Sequence, residues 1–275
     1  MGFLHSSRPR GRISGLLRRA AEARLIGIDG EGDHATWLQF EVPPFHSVAS
    51  DLFRQPLLWD DGPQPEDTAF ELFGAALNDV AARKKESNRY DPALLQGIRR
   101  YRATLRRGVT RIWMPDVKLA TPSSVDEEIV NAASELSATT PEPRRVRIAG
   151  RLDVMGASEA VLKIDLRPGE SVTAVWEGDV PVDELRDLFN RDVALEGIGV
   201  FRPSGSLLRV DATAIRLASS QDDFFRQVPR ATPARDYKKA LRLRQTEGSV
   251  YARILGRIPS EETDDEFAAA VDALS

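Results

Sequence analysis

The sequence predicts an α+β N-terminal domain followed by an all-β five-stranded barrel. Three observations predict it. Residues 144–218 alternate apolar and polar side chains in five runs, divided by turn residues and one short helical stretch, the period of half-buried strands. Residues 24–137 mix strand-like runs with three stretches of helical spacing, a mixture that packs as an α+β layer. The flanking segments break both patterns: a basic arm with a short helix over 1–23, a basic irregular linker over 219–258 and an acidic helix over 259–275.

Within 24–137, Leu25–Ile28 and Trp37–Val42 flank a segment rich in Gly and Asp, which reads as a β-hairpin with a long loop. Pro43 and Pro44 end its second strand, because proline cannot donate to a ladder. Asp67 or Thr68 can cap a helix over 68–84, whose Phe70, Phe73, Ala76, Leu77 and Val80 sit at helical spacing. Pro92 suits the first position of a second helix, with Leu94, Leu95, Ile98, Tyr101 and Leu105 as its stripe and Gly108 as its end. A strand over 109–115 and a helix over 125–137 complete the domain. Pro141 and Pro143 then break the chain before the barrel.

In the barrel, Val146, Ile148, Leu152 and Val154 mark strand one, and Leu162, Ile164 and Leu166 mark strand two. Pro168 and Gly169 turn into strand three at 171–177, and a short helix follows at 181–189. Strand four, VALEGIGVF, holds two glycines, a sign of a bulge or sharp bend. Strand five is LLRVDATAIRL. This layout, with the hydrophobic-x-Gly pattern at IAGRL and LEGIG, resembles the OB-fold. A small SH3-like barrel is the competing fold. The closing stretch 254–267, ILGRIPSEETDDEF, and the overall layout resemble bacterial proteins of unknown function, some of them antitoxin-like. Neither likeness implies an activity.

Composition bounds the function. The chain of 275 residues has 41% hydrophobic residues, enough for packed cores, and a net charge of −4, unlike a dedicated nucleic-acid coat. It has no cysteine, which excludes disulfides, thiolate zinc sites, iron–sulfur clusters and thiol nucleophiles. A reducing, cytoplasmic location is the expectation. No run of 18 apolar residues predicts a membrane span. The first 24 residues carry six Arg and one acid without the apolar core of a secretory signal, and their composition is also that of a transit peptide.

Few constellations suggest chemistry. Asp29, Glu31 and Asp33, with His34 beside them, can hold Mg²⁺ or Ca²⁺ through oxygens. The same residues suit a solvated hairpin loop. His46 is too isolated for a histidine metal site, and the phosphate-loop, dinucleotide and serine-elbow motifs are absent, so no catalytic residue and no cofactor are assigned. Residues 97–111 carry six Arg and no acid, with Arg99, Arg100, Arg102, Arg106 and Arg107 turned away from the apolar stripe. Such a face binds phosphates, pairs with an acidic partner or is solvated. On the barrel, Arg147, Arg151, Lys163, Arg167, Arg202 and Arg209 offer a basic face, but Asp153, Asp165, Glu196 and Asp211 alternate with them. The barrel holds 11 Lys and Arg against 12 Asp and Glu, with few aromatics for base stacking. The loop 87–91, SNRYD, reads as a plain helix–helix connection.

The leading expectation is a non-enzymatic binding or adaptor protein with a protein partner, one component of a multi-protein bacterial system. The alternatives are a single-stranded nucleic-acid binder using the barrel and the Arg-rich helix, and a metal-dependent hydrolase or nuclease using Asp29, Glu31 and Asp33.

Overall fold

The computed structural model describes residues 15–30, 36–48, 64–114, 123–156, 161–179 and 182–233. The expected basic arm before residue 15, the acidic C-terminal helix and most of the basic linker lie outside them. These described residues all belong to one compact unit.

The chain begins with helix α1 (Gly15–Ala20) and a two-stranded antiparallel sheet of β1 (Arg24–Asp29) and β2 (Trp37–Glu41). A one-residue register shift at Ile26 bulges β1. Prolines 43 and 44 end β2 as expected, and the short helix α2 (Phe45–Val48) follows. Its chain is pinned to 65–67 by Phe45 N–H donating to Asp67 O and His46 N–H to Pro65 O. Helix α3 (Ala69–Ala81) starts on a reciprocal cap: Thr68 Oγ1 accepts from Glu71 N–H, and Glu71 Oε2 accepts from Thr68 N–H at 2.6 Å.

Helix α4 (Pro92–Arg100) is capped by Asp91, whose Oδ1 accepts from Leu94 N–H at 2.9 Å. The single helix expected from Pro92 to Gly108 breaks at Tyr101, and a last turn, α5 (Arg102–Leu105), follows. Strands β3 (Ile112–Met114) and β4 (Ser123–Val125) pair antiparallel, and α6 (Glu127–Thr139) starts on Asp126. Leu77, Val80, Leu95, Ile98, Val130, Ala133 and Leu136 close the helical core.

The barrel is built from β5 (Arg144–Gly156), β6 (Val161–Arg167), β7 (Glu170–Trp176), β8 (Asp192–Phe201) and β9 (Leu207–Leu217). All five lie within two residues of the expected runs. The ladder closes in the order β5-β6-β7-β9-β8. Every pair is antiparallel except β7–β9, which is parallel. The connection between β7 and β8 carries a 3₁₀ helix (Val182–Leu188) that sends Leu185 into the core. Ile148, Leu152, Leu162, Ile164, Leu195 and Val210 fill the interior, all fully buried. The ladder shifts register at Gly197, where a Cβ would stand 2.7 Å from Ala212 Cα, so only glycine lets β8 and β9 approach there.

Candidate functional site

The loop after α3 does more than connect two helices. Residues 84–91 fold around Asp79, which is buried and accepts from Lys84 Nζ at 2.6 Å, Ser87 Oγ at 2.7 Å and Arg89 Nη1 at 3.1 Å. Burial works to raise the Asp79 carboxyl, but those three donors outweigh it and hold it below its ordinary 3.8. Tyr90 donates its hydroxyl to Lys84 O, and its burial pushes the phenol upward.

So organised, the loop grips the barrel. Ser206 Oγ donates to Glu86 Oε2 at 2.6 Å. Arg202 reaches Asn88 Oδ1 with two nitrogens, Nε at 3.1 Å and Nη2, and also donates to Leu207 O. Burial would raise the Glu86 carboxyl. Hydrogen bonds from Ser206 and Ser204, with the charges of Arg202 and Arg230, hold it below 4.5. The turn itself is locked from the far side, where Ala231 N–H donates to Gly205 O at 2.8 Å. Gly205 has φ +89°, and a Cβ there would run into the Ala231 carbonyl.

Deeper in this contact lies Arg209. The alternation of strand five placed it outward, as a phosphate contact, and it does leave the barrel core. The helical layer covers that face, however, so Arg209 is 0% exposed and its neighbour Asp211 is 5% exposed. Nε donates to Asp211 Oδ1 at 2.8 Å and Nη1 to Asp91 Oδ2 at 3.3 Å. Asp91 therefore serves two elements at once, capping α4 with one oxygen and receiving the barrel arginine with the other. A buried guanidinium needs such partners, since an isolated ion in the interior costs several kcal/mol, roughly. Arg202 likewise belongs to the internal contact rather than to an open face.

The remaining barrel cations stand on the surface with acids beside them. Arg147 pairs with Glu196 at 2.6 Å and lies 5.0 Å over the Phe225 ring. Arg151 stands 3.9 Å from Asp165, across the β5–β6 ladder. Lys163 is half-buried on β6, and Arg167 is exposed beside the Pro168–Gly169 turn. Arg216 grips Asp222 with both terminal nitrogens, at 2.7 and 2.8 Å, which holds that carboxyl well below the usual range.

The arginines of α4 and α5 differ. All five of Arg99, Arg100, Arg102, Arg106 and Arg107 are exposed. The two with recorded side-chain bonds to α6 reach neutral oxygens: Arg99 Nη1 to Ser137 Oγ at 3.3 Å, and Arg102 Nη2 to Asn131 Oδ1 at 2.8 Å. Among the described residues no carboxylate pairs with any of the five.

Asp29 ends β1 opposite Trp37 and is exposed; Glu31 and Asp33 lie outside the described residues. Among the described residues no three metal-ligating side chains come together, and no helix is long and apolar enough to cross a membrane.

The largest feature that the sequence reading passed over is the face of the hairpin. The register pairs Leu25 with Phe40 and Ile28 with Leu38, which puts these four side chains on one side of the sheet. All four are exposed, from 40% for Phe40 to 68% for Ile28. Phe40 stacks on Phe70 of α3 at 5.8 Å, which carries the apolar stripe onto the helical layer. The alternation within each strand was visible, but nothing in it said that the apolar side would stay uncovered.

No protein-family model, no curated protein and no solved structure matches the chain. The functional reading rests on this geometry alone.

Proposed function

We propose that the protein is a non-enzymatic binding protein, an adaptor that receives an amphipathic helix of a protein partner on the β1–β2 hairpin. The uncovered face of Leu25, Ile28, Leu38 and Phe40 carries this reading. A two-stranded sheet is marginal on its own in water, and an antiparallel sheet normally packs its apolar face against another layer. Contiguous apolar surface of this kind marks interaction sites. Two strands about 4.8 Å apart, five or six residues long, give a plate roughly 10 Å by 18 Å with side chains. One α-helix of three turns, about 10 Å across, matches that plate. Covering each half-exposed side chain contributes on the order of 1 kcal/mol, enough in sum for a specific contact.

The test compares capture from the native host by the full chain and by the double variant Ile28→Lys, Leu38→Lys. A partner held by the wild type and lost by the variant, with unfolding midpoints equal, supports the reading. Equal capture by both, or capture by neither, overturns it.

The barrel itself we read as an OB-type barrel. The strand order β5-β6-β7-β9-β8, the parallel β7–β9 pair and the helix between the third and fourth strands support that over an SH3-like barrel. Its β8–β9 turn is occupied by Glu86 and Asn88, and several outward cations pair with acids, which favours docking over a single-strand channel. Support for nucleic-acid binding falls instead on the α4–α5 arginines.

A further inference from the structure

Two of the open clefts on the described surface have charged walls. The larger, about 610 Å³, sits at the β6–β7 turn and is lined by Arg151, Lys163, Arg167 and Arg226 together with Asp165, Glu170 and Asp192. Two of its four cations have acids beside them: Arg226 holds Asp192 at 2.9 Å and Arg151 stands 3.9 Å from Asp165. The smaller cleft, about 460 Å³, is bounded by α5, the turn after it and the first turns of α6. Here, among the described residues, neither Arg102 nor Arg106 pairs with a carboxylate.

Arg102, at the start of α5, and Arg106, its C-cap four residues on, both line this cleft, a spacing that puts two side chains on one face of a helical turn. Arg102 is oriented by the Asn131 amide, a neutral acceptor that takes one N–H and brings no counter-charge. Thr110 adds a hydroxyl, and Glu127 stands among the lining residues as an acceptor. Asp126, just before α6, is committed elsewhere: it caps Ile129 N–H at 3.1 Å and pairs with Arg111 at 3.2 Å. Leu105, Val109 and Val130 supply apolar lining. The turn ends at Gly108 with φ +101° and open space where a Cβ would be, so the backbone there is accessible.

Two guanidiniums, a carboxylate acceptor and an apolar lining select a ligand with an anionic head, an apolar ring and a hydrogen-bond donor. The three oxygens of a phosphate engage two guanidinium forks, where a carboxylate satisfies one. The volume lies in the range of small-ligand sites. We propose that this cleft binds a nucleoside phosphate, with Arg102 and Arg106 on the phosphate, Leu105, Val109 and Val130 against the base, and Glu127 accepting from a base or sugar donor. The ligand can be a free nucleotide or the 5′-terminal nucleotide of a strand; the chemistry is shared. The site is separate from the hairpin face, and either can fail without the other.

The experiment titrates the full chain at about 50 mM salt, where phosphate contacts are least screened, with inorganic phosphate, adenosine, adenosine 5′-monophosphate, a 5′-phosphorylated oligonucleotide and an acidic peptide, reading calorimetry and amide shifts of Val109, Thr110 and Asn131. The monophosphate is expected to bind at least 10-fold more tightly than inorganic phosphate or adenosine. Arg106→Gln should weaken it at least 10-fold, and Glu127→Gln should weaken the nucleotide without weakening inorganic phosphate. An oligonucleotide that binds better than the mononucleotide assigns the strand end; one that binds worse assigns the free nucleotide. No nucleotide binding, an unchanged Arg106→Gln affinity, or equal binding of the acidic peptide overturns the proposal.

Discussion

Arg209 of the barrel and Arg102 of the helical layer carry the same side chain into opposite settings. Arg209 is enclosed, with Asp91 and Asp211 against it. Arg102 is exposed, with an amide for company. The first charge is consumed in joining two layers, whereas the second meets no carboxylate among the described residues. Arginine density in the sequence points at the wrong one for structure and says little about the right one for binding. What separates them is whether a carboxylate arrives from another element.

The sharpest way to break this contrast is Arg209→Met. It leaves two carboxylates buried without their cation, and denaturant unfolding should show a loss of about 3–5 kcal/mol. A loss below about 1 kcal/mol would mean that the joint is not held by charge. Gly197→Ala tests the barrel side of the same joint by pushing a methyl onto β9 beside Asp211; overpacking of this kind costs about 1–3 kcal/mol, read in the same assay.

Acid should weaken the joint before it touches the α4–α5 arginines. Asp79 and Glu86 are both held below their ordinary values in the folded protein. Their stabilisation is therefore complete above those ordinary values, 3.8 and 4.5, and is lost as pH falls through the lower folded values. Unfolding free energy measured against pH should decline from about pH 4.5 downward, and Glu86→Gln should flatten part of that decline. At the small end, Arg102→Gln should shift stability by no more than about 0.5 kcal/mol, as exposed substitutions do. A large loss there would place Arg102 with Arg209 among the structural arginines.

The barrel was legible because its strands alternate with period two and its turns carry Pro168, Gly169 and Gly205, so local sequence states both face and end. The longer helices α3, α4 and α6 were legible through caps and spacing, apart from the break at Tyr101; the four-residue α2 was not, being too short to show a period. The joint was not, because Asp91 and Arg209 stand 118 residues apart and each reads locally as something ordinary: an Asp before a proline, an outward Arg on a strand. Glu86 and Asn88 were equally silent inside a loop whose composition suits any connection. The uncovered hairpin face was hidden for a different reason. Alternation tells which side of a strand is apolar but not whether another layer covers it.

Asp91 has one more consequence. Because the cap of α4 and the counter-charge of Arg209 are the two oxygens of one carboxylate, the start of a helix and a strand from far along the chain hold the same side chain. The boundary that prolines 141 and 143 suggest is thus a seam in sequence and not in energy. The two halves should melt in one cooperative step, and a barrel cut free at residue 144 would have to hydrate a guanidinium that its parent keeps dry. For this molecule, modularity ends at that carboxylate.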